Sequence, residues 1–155
     1  MYEVYGDQFE TADMTGTSMS QRAEFTYDRI LRAVRVWLIA TGNPAFSNMV
    51  CKLYSDNNGS PGALIATSTN TKSNSDLLTL GNGLIETHFN FNKVNLKKGQ
   101  NYHFVINCDG YVYSENSCLA WKKAYPDPIY TAGLTVDGKS IQSFPRSIYF
   151  YTGRP

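Results

Sequence analysis

Between Tyr111 and Tyr130 the chain gathers Tyr111, Tyr113, Glu115, Asn116, Trp121, Lys122, Tyr125, Asp127 and Tyr130. Flat Tyr and Trp faces stack on the apolar C–H side of a pyranose ring, while amides, carboxylates and cations hydrogen-bond its hydroxyls. Such a set is suited to holding a polyhydroxylated ligand rather than to cleaving a bond. Tyr125 stands beside Pro126 and close to Pro128, in a stretch that cannot enter a central strand. It is the leading stacking candidate, with Asp127 and Tyr130 nearby. Trp121 has two fates open to it: exposure in a ligand groove, or burial with Leu119, which shares its face at a period of two. Trp37, between Arg35 and Ile39 on the outer side of a strand, has three: a binding platform, a subunit interface, or burial beneath a loop.

Reaction chemistry finds less support. Asp56, Asp76, Asp109, Asp127 and Asp137 all neighbour Gly, Asn, Ser or Pro, so turn geometry accounts for each. No spacing brings two carboxylates to one cleft, as glycoside hydrolysis requires. His88 is read as outward on a strand, with no nucleophile nearby, and no phosphate-cradling glycine motif occurs. The expectation is a non-enzyme without a cofactor. Asp56-Asn57-Asn58-Gly59 offers oxygen ligands for calcium but lacks the acid pattern of a dedicated loop, so plain turn chemistry is preferred. Neither His88 nor His103 lies at a zinc-ligand spacing from a cysteine. Of the three cysteines, Cys51 is in step with Met49 and Leu53, as a buried free thiol would be. Cys108 and Cys118 flank Asp109-Gly110, where a bond would close a small loop, but spacing alone does not decide it.

The elements that must position these groups are strands. Val34, Val36, Leu38 and Ala40 alternate with Arg35, Trp37 and Ile39, and Met49, Cys51 and Leu53 alternate with Val50, Lys52 and Tyr54. Gly42-Asn43-Pro44 forms part of the turn between these two runs. Gln21 to Tyr27 alternates weakly, placing Phe25 and Tyr27 on one face, although a turn of helix is tolerable there. Ser55 to Gly62 is the strongest turn signal, followed by a short strand from Ala63 to Thr69. Phe89 and Phe91 face inward with His88 and Asn90 outward; then Tyr102, Phe104 and Ile106 oppose His103 and Val105. Tyr111-Val112-Tyr113 and Ser117 to Lys122 form the arms of a hairpin, Ile129 to Val136 is a strand ending in Asp137-Gly138, and Ser147 to Tyr151 is the last strand.

Eight or more short strands separated by turn signals indicate an all-β, two-sheet antiparallel β-sandwich or a barrel. The expected core is Val36, Leu38, Met49, Leu53, Phe89, Phe91, Tyr102, Phe104 and Phe150. Residues 1–20 form an N-terminal junction or first strand, and 21–155 a single domain. A chain of 155 residues buries roughly 70% of its unfolded surface, enough to fold without metal or disulfide. A net charge of +1 leaves no electrostatic footprint for nucleic acid or an anionic membrane, and no apolar run is long enough for a spanning helix. Met1 to Asp7 lacks both the basic start and the apolar stretch of a secretory signal. The expectation is a mature chain cut from a precursor, exported by another route, or belonging to a larger protein.

The order of motifs resembles a known group. Gln21 with Phe25-Thr26 precedes Val-Arg-Val-Trp-Leu (34–38) and Thr-Gly-Asn-Pro (41–44). Leu-Tyr-Ser-Asp (53–56) and Gly-Ser-Pro-Gly-Ala-Leu-Ile-Ala-Thr-Ser (59–68) follow, then Phe-Asn-Phe (89–91) and Leu-Lys-Lys-Gly-Gln-Asn-Tyr-His-Phe-Val-Ile (96–106). Over residues 21–108 this resembles the jelly-roll, carbohydrate-binding-module-like domains of bacterial surface and secreted proteins and of phage tail or fibre tips. The resemblance implies non-catalytic, extracellular recognition of a cell-surface glycan or polysaccharide, as an adhesin or fibre tip on a cell surface or virion. Such tips are commonly trimers, and a Tyr-rich, weakly charged lateral face suits a homotrimer. The alternative is a structural or assembly module whose aromatic surface packs against neighbouring subunits.

Overall fold

The computed structural model describes residues 11–13, 17–73, 76, 85–122, 130–136, 139–141 and 148–155, with 11–13, 122, 130–136 and 139–141 described by backbone alone. Among them are eleven strands: β1 (Thr11–Asp13), β2 (Ser18–Glu24), β3 (Arg29–Thr41), β4 (Met49–Asn57), β5 (Ser60–Thr67), β6 (Ile85–Leu96), β7 (Asn101–Cys108), β8 (Cys118–Lys122), β9 (Tyr130–Val136), β10 (Lys139–Ile141) and β11 (Ile148–Gly153). β1 pairs β8, β2 pairs β7, β3 pairs β6 and β4 pairs β5, all antiparallel. The chain is thus a long ribbon whose two arms run back along each other. Rolled up, alternate pairs fall in opposite sheets, β1-β8-β3-β6 and β2-β7-β4-β5. The fold is an all-β, two-sheet antiparallel sandwich of jelly-roll type. β11 lies along β3 at Ile30 to Val36, end to end with β8, which takes Leu38 to Thr41. β9 and β10 extend the second sheet beyond β2. β1 and β2, which begin before residue 21, are part of the sandwich through these pairings.

Period-two alternation drives the sandwich shut. All nine residues expected in the core are buried, with Val34, Leu31, Ile148 and Trp121 beside them. Phe25, Phe104 and Phe150 interlock, with ring centres 5.0 Å apart for Phe25–Phe150 and 4.9 Å for Phe104–Phe150. Each such pair adds about 0.5–1.5 kcal/mol beyond its buried area. Phe25 lies in the core but Tyr27 does not share its face: β2 ends at Glu24, alternation stops with it, and Tyr27 is 65% exposed. The turn-rich Ser55–Gly62 stretch is mostly strand. Only Asn58 and Gly59 turn, both at positive φ, as a two-residue hairpin needs.

An extra residue interrupts β3. Leu31 pairs Thr152 and Ala33 pairs Tyr151, so Arg32 bulges outward, and both Leu31 and Val34 can face the core. Cys51, Cys108 and Cys118 are free thiols and buried, so no bond links Cys108 to Cys118. Burial pushes the Cys51 thiol up, and burial with the Asp109 charge pushes Cys108 up to about 12, so neither forms a reactive thiolate at neutral pH.

Candidate binding face

The expected hairpin through Tyr111 to Trp121 does not present a groove. Trp121 is fully buried opposite Leu38, in step with buried Leu119, so it belongs to the core and cannot stack on a ligand. Tyr111 is also buried, and its hydroxyl accepts the Leu119 N–H at 2.9 Å, making it a brace for β8. Tyr113 is half-buried against the core. Residues 111–113 are not a strand arm; the paired residues here are Ser114 and Ser117. Tyr125 and Asp127 lie outside the described residues, and Tyr130 is described only as the start of β9.

Trp37 has the other fate: it is half-exposed on the outer face of β3. Register builds a surface around it. Arg35 sits between Tyr149 of β11 and His88 of β6, Ala33 between Tyr151 and Asn90, and Trp37 beside Glu86. The Arg35 guanidinium lies 4.2 Å from the Tyr149 ring centre, 5.1 Å from Trp37 and 5.6 Å from Tyr151. Each cation–π contact of this kind is worth about 0.5–1 kcal/mol at an exposed site. Arg35 Nη1 also donates to Glu86 Oε1 at 2.8 Å, while His88 Nε2 stands 3.7 Å from the other Glu86 oxygen. Tyr149 packs on Tyr151 at 5.2 Å and edge-on to Trp37 at 6.3 Å, and Tyr151 meets His88 at 5.9 Å.

The result is a rigid aromatic floor with a polar margin. Arg35 locks the rings from within, and ordered rings lose little entropy when a ligand lands on them. Glu86 and His88 are about half-exposed at 48% and 45%, and Asn90 is exposed. These supply acceptor and donor groups around the half-exposed Trp37 and Tyr151 rings. The margin is held from outside by Asn70: its Nδ2 donates to the His88 carbonyl at 2.9 Å and its Oδ1 accepts the Asn90 N–H at 2.7 Å. One side-chain amide thus continues the ladder on the edge of β6 away from β3, joined by Thr69 N–H to the Asn90 carbonyl. The sequence named Trp37 and its outward neighbours but not Tyr149 or Tyr151. Their only signal was alternation against Ile148 and Phe150, and pairing with a strand so distant in sequence leaves no local mark.

A second polar cluster lies in the other sheet. His103, expected to face outward, is only 1% exposed because the outer face at the middle of β7 is covered too; Val105 and Ser20 are buried beside it. His103 Nε2 lies 2.7 Å from Asp56 Oδ1, and Asp56 also accepts the Gly59 N–H at 3.1 Å. His103 Nδ1 has no hydrogen-bond partner among the described residues. Burial lowers the His103 pKa, and the nearby Arg22 charge adds to this, outweighing the raising influence of Asp56. Burial raises that of Asp56, but the His103 and Gly59 hydrogen bonds and the His103 and Arg22 charges carry it below the ordinary carboxylate value. A neutral His103 donating Nε2–H to a charged Asp56 satisfies both directions.

This pair makes stability depend on pH. Unfolded histidine titrates near 6.5; folded His103 titrates lower, so the unfolded chain binds more protons as pH falls through 6.5 and stability declines. Asp56 adds its own loss below the unfolded carboxylate value of about 3.9. Thermal melts should show Tm falling from pH 7.5 to 5.5, and His103→Leu should flatten that slope. The same variant strips Asp56 of a buried donor and should lower Tm at pH 7.5 by about 4–8 °C, from about 2 kcal/mol lost. An unchanged slope in His103→Leu would remove His103 as the titrating group.

No family model matches the chain, and no curated protein matches it. Among solved structures it is similar to a CocE/NonD family hydrolase from Staphylococcus aureus, at 11% identity and a TM-score of 0.40. That likeness covers 99% of this chain and 37% of the hydrolase chain, and it assigns neither site nor activity.

Proposed function

We propose that this chain is a non-catalytic recognition domain that binds a glycan or polysaccharide of a cell surface, on the outer face of β3, β6 and β11 rather than on end loops. The observation that carries this reading is the Trp37–Tyr149–Tyr151 array locked around Arg35, with Glu86, His88 and Asn90 at its margin. The half-exposed Trp37 and Tyr151 rings, braced by buried Tyr149 and set beside hydroxyl-binding groups, match a sugar's two chemistries, apolar C–H faces and polar rims. An extracellular setting, as an adhesin or fibre tip on a cell or virion, belongs to the same proposal.

A glycan array probed with the purified domain tests it, with Trp37→Ala and Tyr151→Ala beside the wild type. Each substitution should weaken binding at least about tenfold, equivalent to about 1.4 kcal/mol. Their melting curves should stay close to wild type. The assembly reading is favoured by a different observation, the exposed Leu64 and Ile65 on the edge strand β5. It predicts no glycan binding and a stable oligomer, including the homotrimer of a fibre tip, in multi-angle light scattering.

A further inference from the structure

A separate groove opens where β11 ends, with a volume of about 990 Å³, at the upper end of the roughly 300–1,000 Å³ common for ligand sites. Its lining side chains are unbalanced in charge: Arg29, Lys98 and Arg154 outnumber Asp28. The Asp28 carboxylate is already engaged, with Oδ1 accepting the Lys98 backbone N–H at 2.8 Å. Arg29, only 6% exposed, donates Nη1–H to Thr152 Oγ1 at 3.2 Å, which orients its guanidinium in the groove wall. Tyr27, most of whose ring is open to solvent, lies at the rim with the Arg29 guanidinium 5.8 Å from its centre. A planar guanidinium grips a carboxylate by two parallel hydrogen bonds, and clustered cations in a cleft raise the local concentration of anions. The groove therefore combines an exposed ring with an excess of cations.

We infer that this groove is a subsite for an acidic sugar, with the carboxylate held by Arg154 and Lys98 and the ring face resting on Tyr27. The groove also adjoins the aromatic face. Gly153 lines the groove and lies two residues beyond Tyr151 on β11, about 7 Å along a strand and on the same side. Space above Gly153 is filled by the Arg32 guanidinium, whose Nε would be 3.4 Å from a Cβ there. One oligosaccharide stacked on Trp37 and Tyr151 would pass Arg32 and end in the groove. That the anion is a sugar rests on the reading of the Trp37 face; the preference of the groove for an anion does not.

The test is a 15N–1H titration with glucuronate and, separately, glucose, followed by a trimer of galacturonate. Wild type, Trp37→Ala and the double variant Lys98→Glu/Arg154→Glu are compared, the last altering two exposed side chains that the core does not need. Glucuronate should shift the Lys98, Gly153 and Arg154 amides, glucose should not, and salt should weaken the effect. The double variant should lose at least about tenfold in affinity, whereas Trp37→Ala should keep glucuronate binding and lose only the trimer's added affinity. Equal shifts with glucose, or none with glucuronate, would overturn the inference while leaving the Trp37 face untouched. Groove shifts with glucuronate but no Trp37 indole shift with the trimer would uphold the groove and sink the proposed glycan face.

Discussion

Trp121→Ala is expected to cost about 4 kcal/mol and to lower Tm by about 8–16 °C, without involving any ligand. The ring is completely enclosed between Leu38, its cross-strand partner, and the rest of the core, so truncation leaves a cavity that neighbouring strands cannot close. Trp37→Ala should cost only about 1 kcal/mol, because its ring packs on a half-exposed outer face, where its edge contact with Tyr149 and its cation–π contact with Arg35 are both weakened by solvent. Urea denaturation of both variants, monitored by far-UV circular dichroism, separates the two tryptophans. The alanine at 121 should move the midpoint; the alanine at 37 should move binding instead. Equal shifts in midpoint would mean that the outer face contributes to the core as much as Trp121 does.

Gly42→Ala should be nearly as damaging, at about 3 kcal/mol, although Gly42 is exposed. Gly42 follows β3 at a φ of 66°, where any other residue pays about 1–2 kcal/mol. A Cβ there would also collide with the Asn116 carbonyl oxygen, in a turn tied by reciprocal Ser114 and Ser117 backbone hydrogen bonds. That turn must move, taking the Thr41–Cys118 end of the β3–β8 ladder with it. Gly99→Ala is the control. Gly99 has a φ of 76° with nothing within 4 Å of the added carbon, so only the backbone strain of about 1–2 kcal/mol should appear. If the two alanines cost the same, the Asn116 contact is immaterial and the Gly42 turn is looser than described.

The layers of the sandwich were legible because a period of two is local. Val36 and Leu38, or Phe89 and Phe91, declare their side within five residues, and the enclosed interior follows. Leu119 and Trp121 obeyed the same rule, which is why alternation pointed to burial for the tryptophan. What alternation could not reveal is which side of a strand is bare. His103 and Arg35 both alternate away from the core, yet one is enclosed and the other carries the aromatic face. That difference depends on what crosses over each sheet. The Arg35–Tyr149 partnership joins residues far apart in the chain, and the Asp56–His103 bond joins residues 47 apart. Ser55 and Asp56 misled for a simpler reason: residues that favour turns also tolerate an exposed edge hairpin, so only Asn58 and Gly59 were needed to reverse the chain.

The surplus residue at Arg32 acts as a parity break within a single strand. Arg29 and Leu31 before it, and Val34 and Val36 after it, all take the interior side, which an unbroken two-residue repeat would forbid. Removing that one residue would turn 29–31 inside out and take Arg29 out of the cationic cleft, while 33–39 kept their orientation. A single-codon deletion there would therefore rebuild the Arg29 wall of the cleft while sparing the ring surface around Arg35.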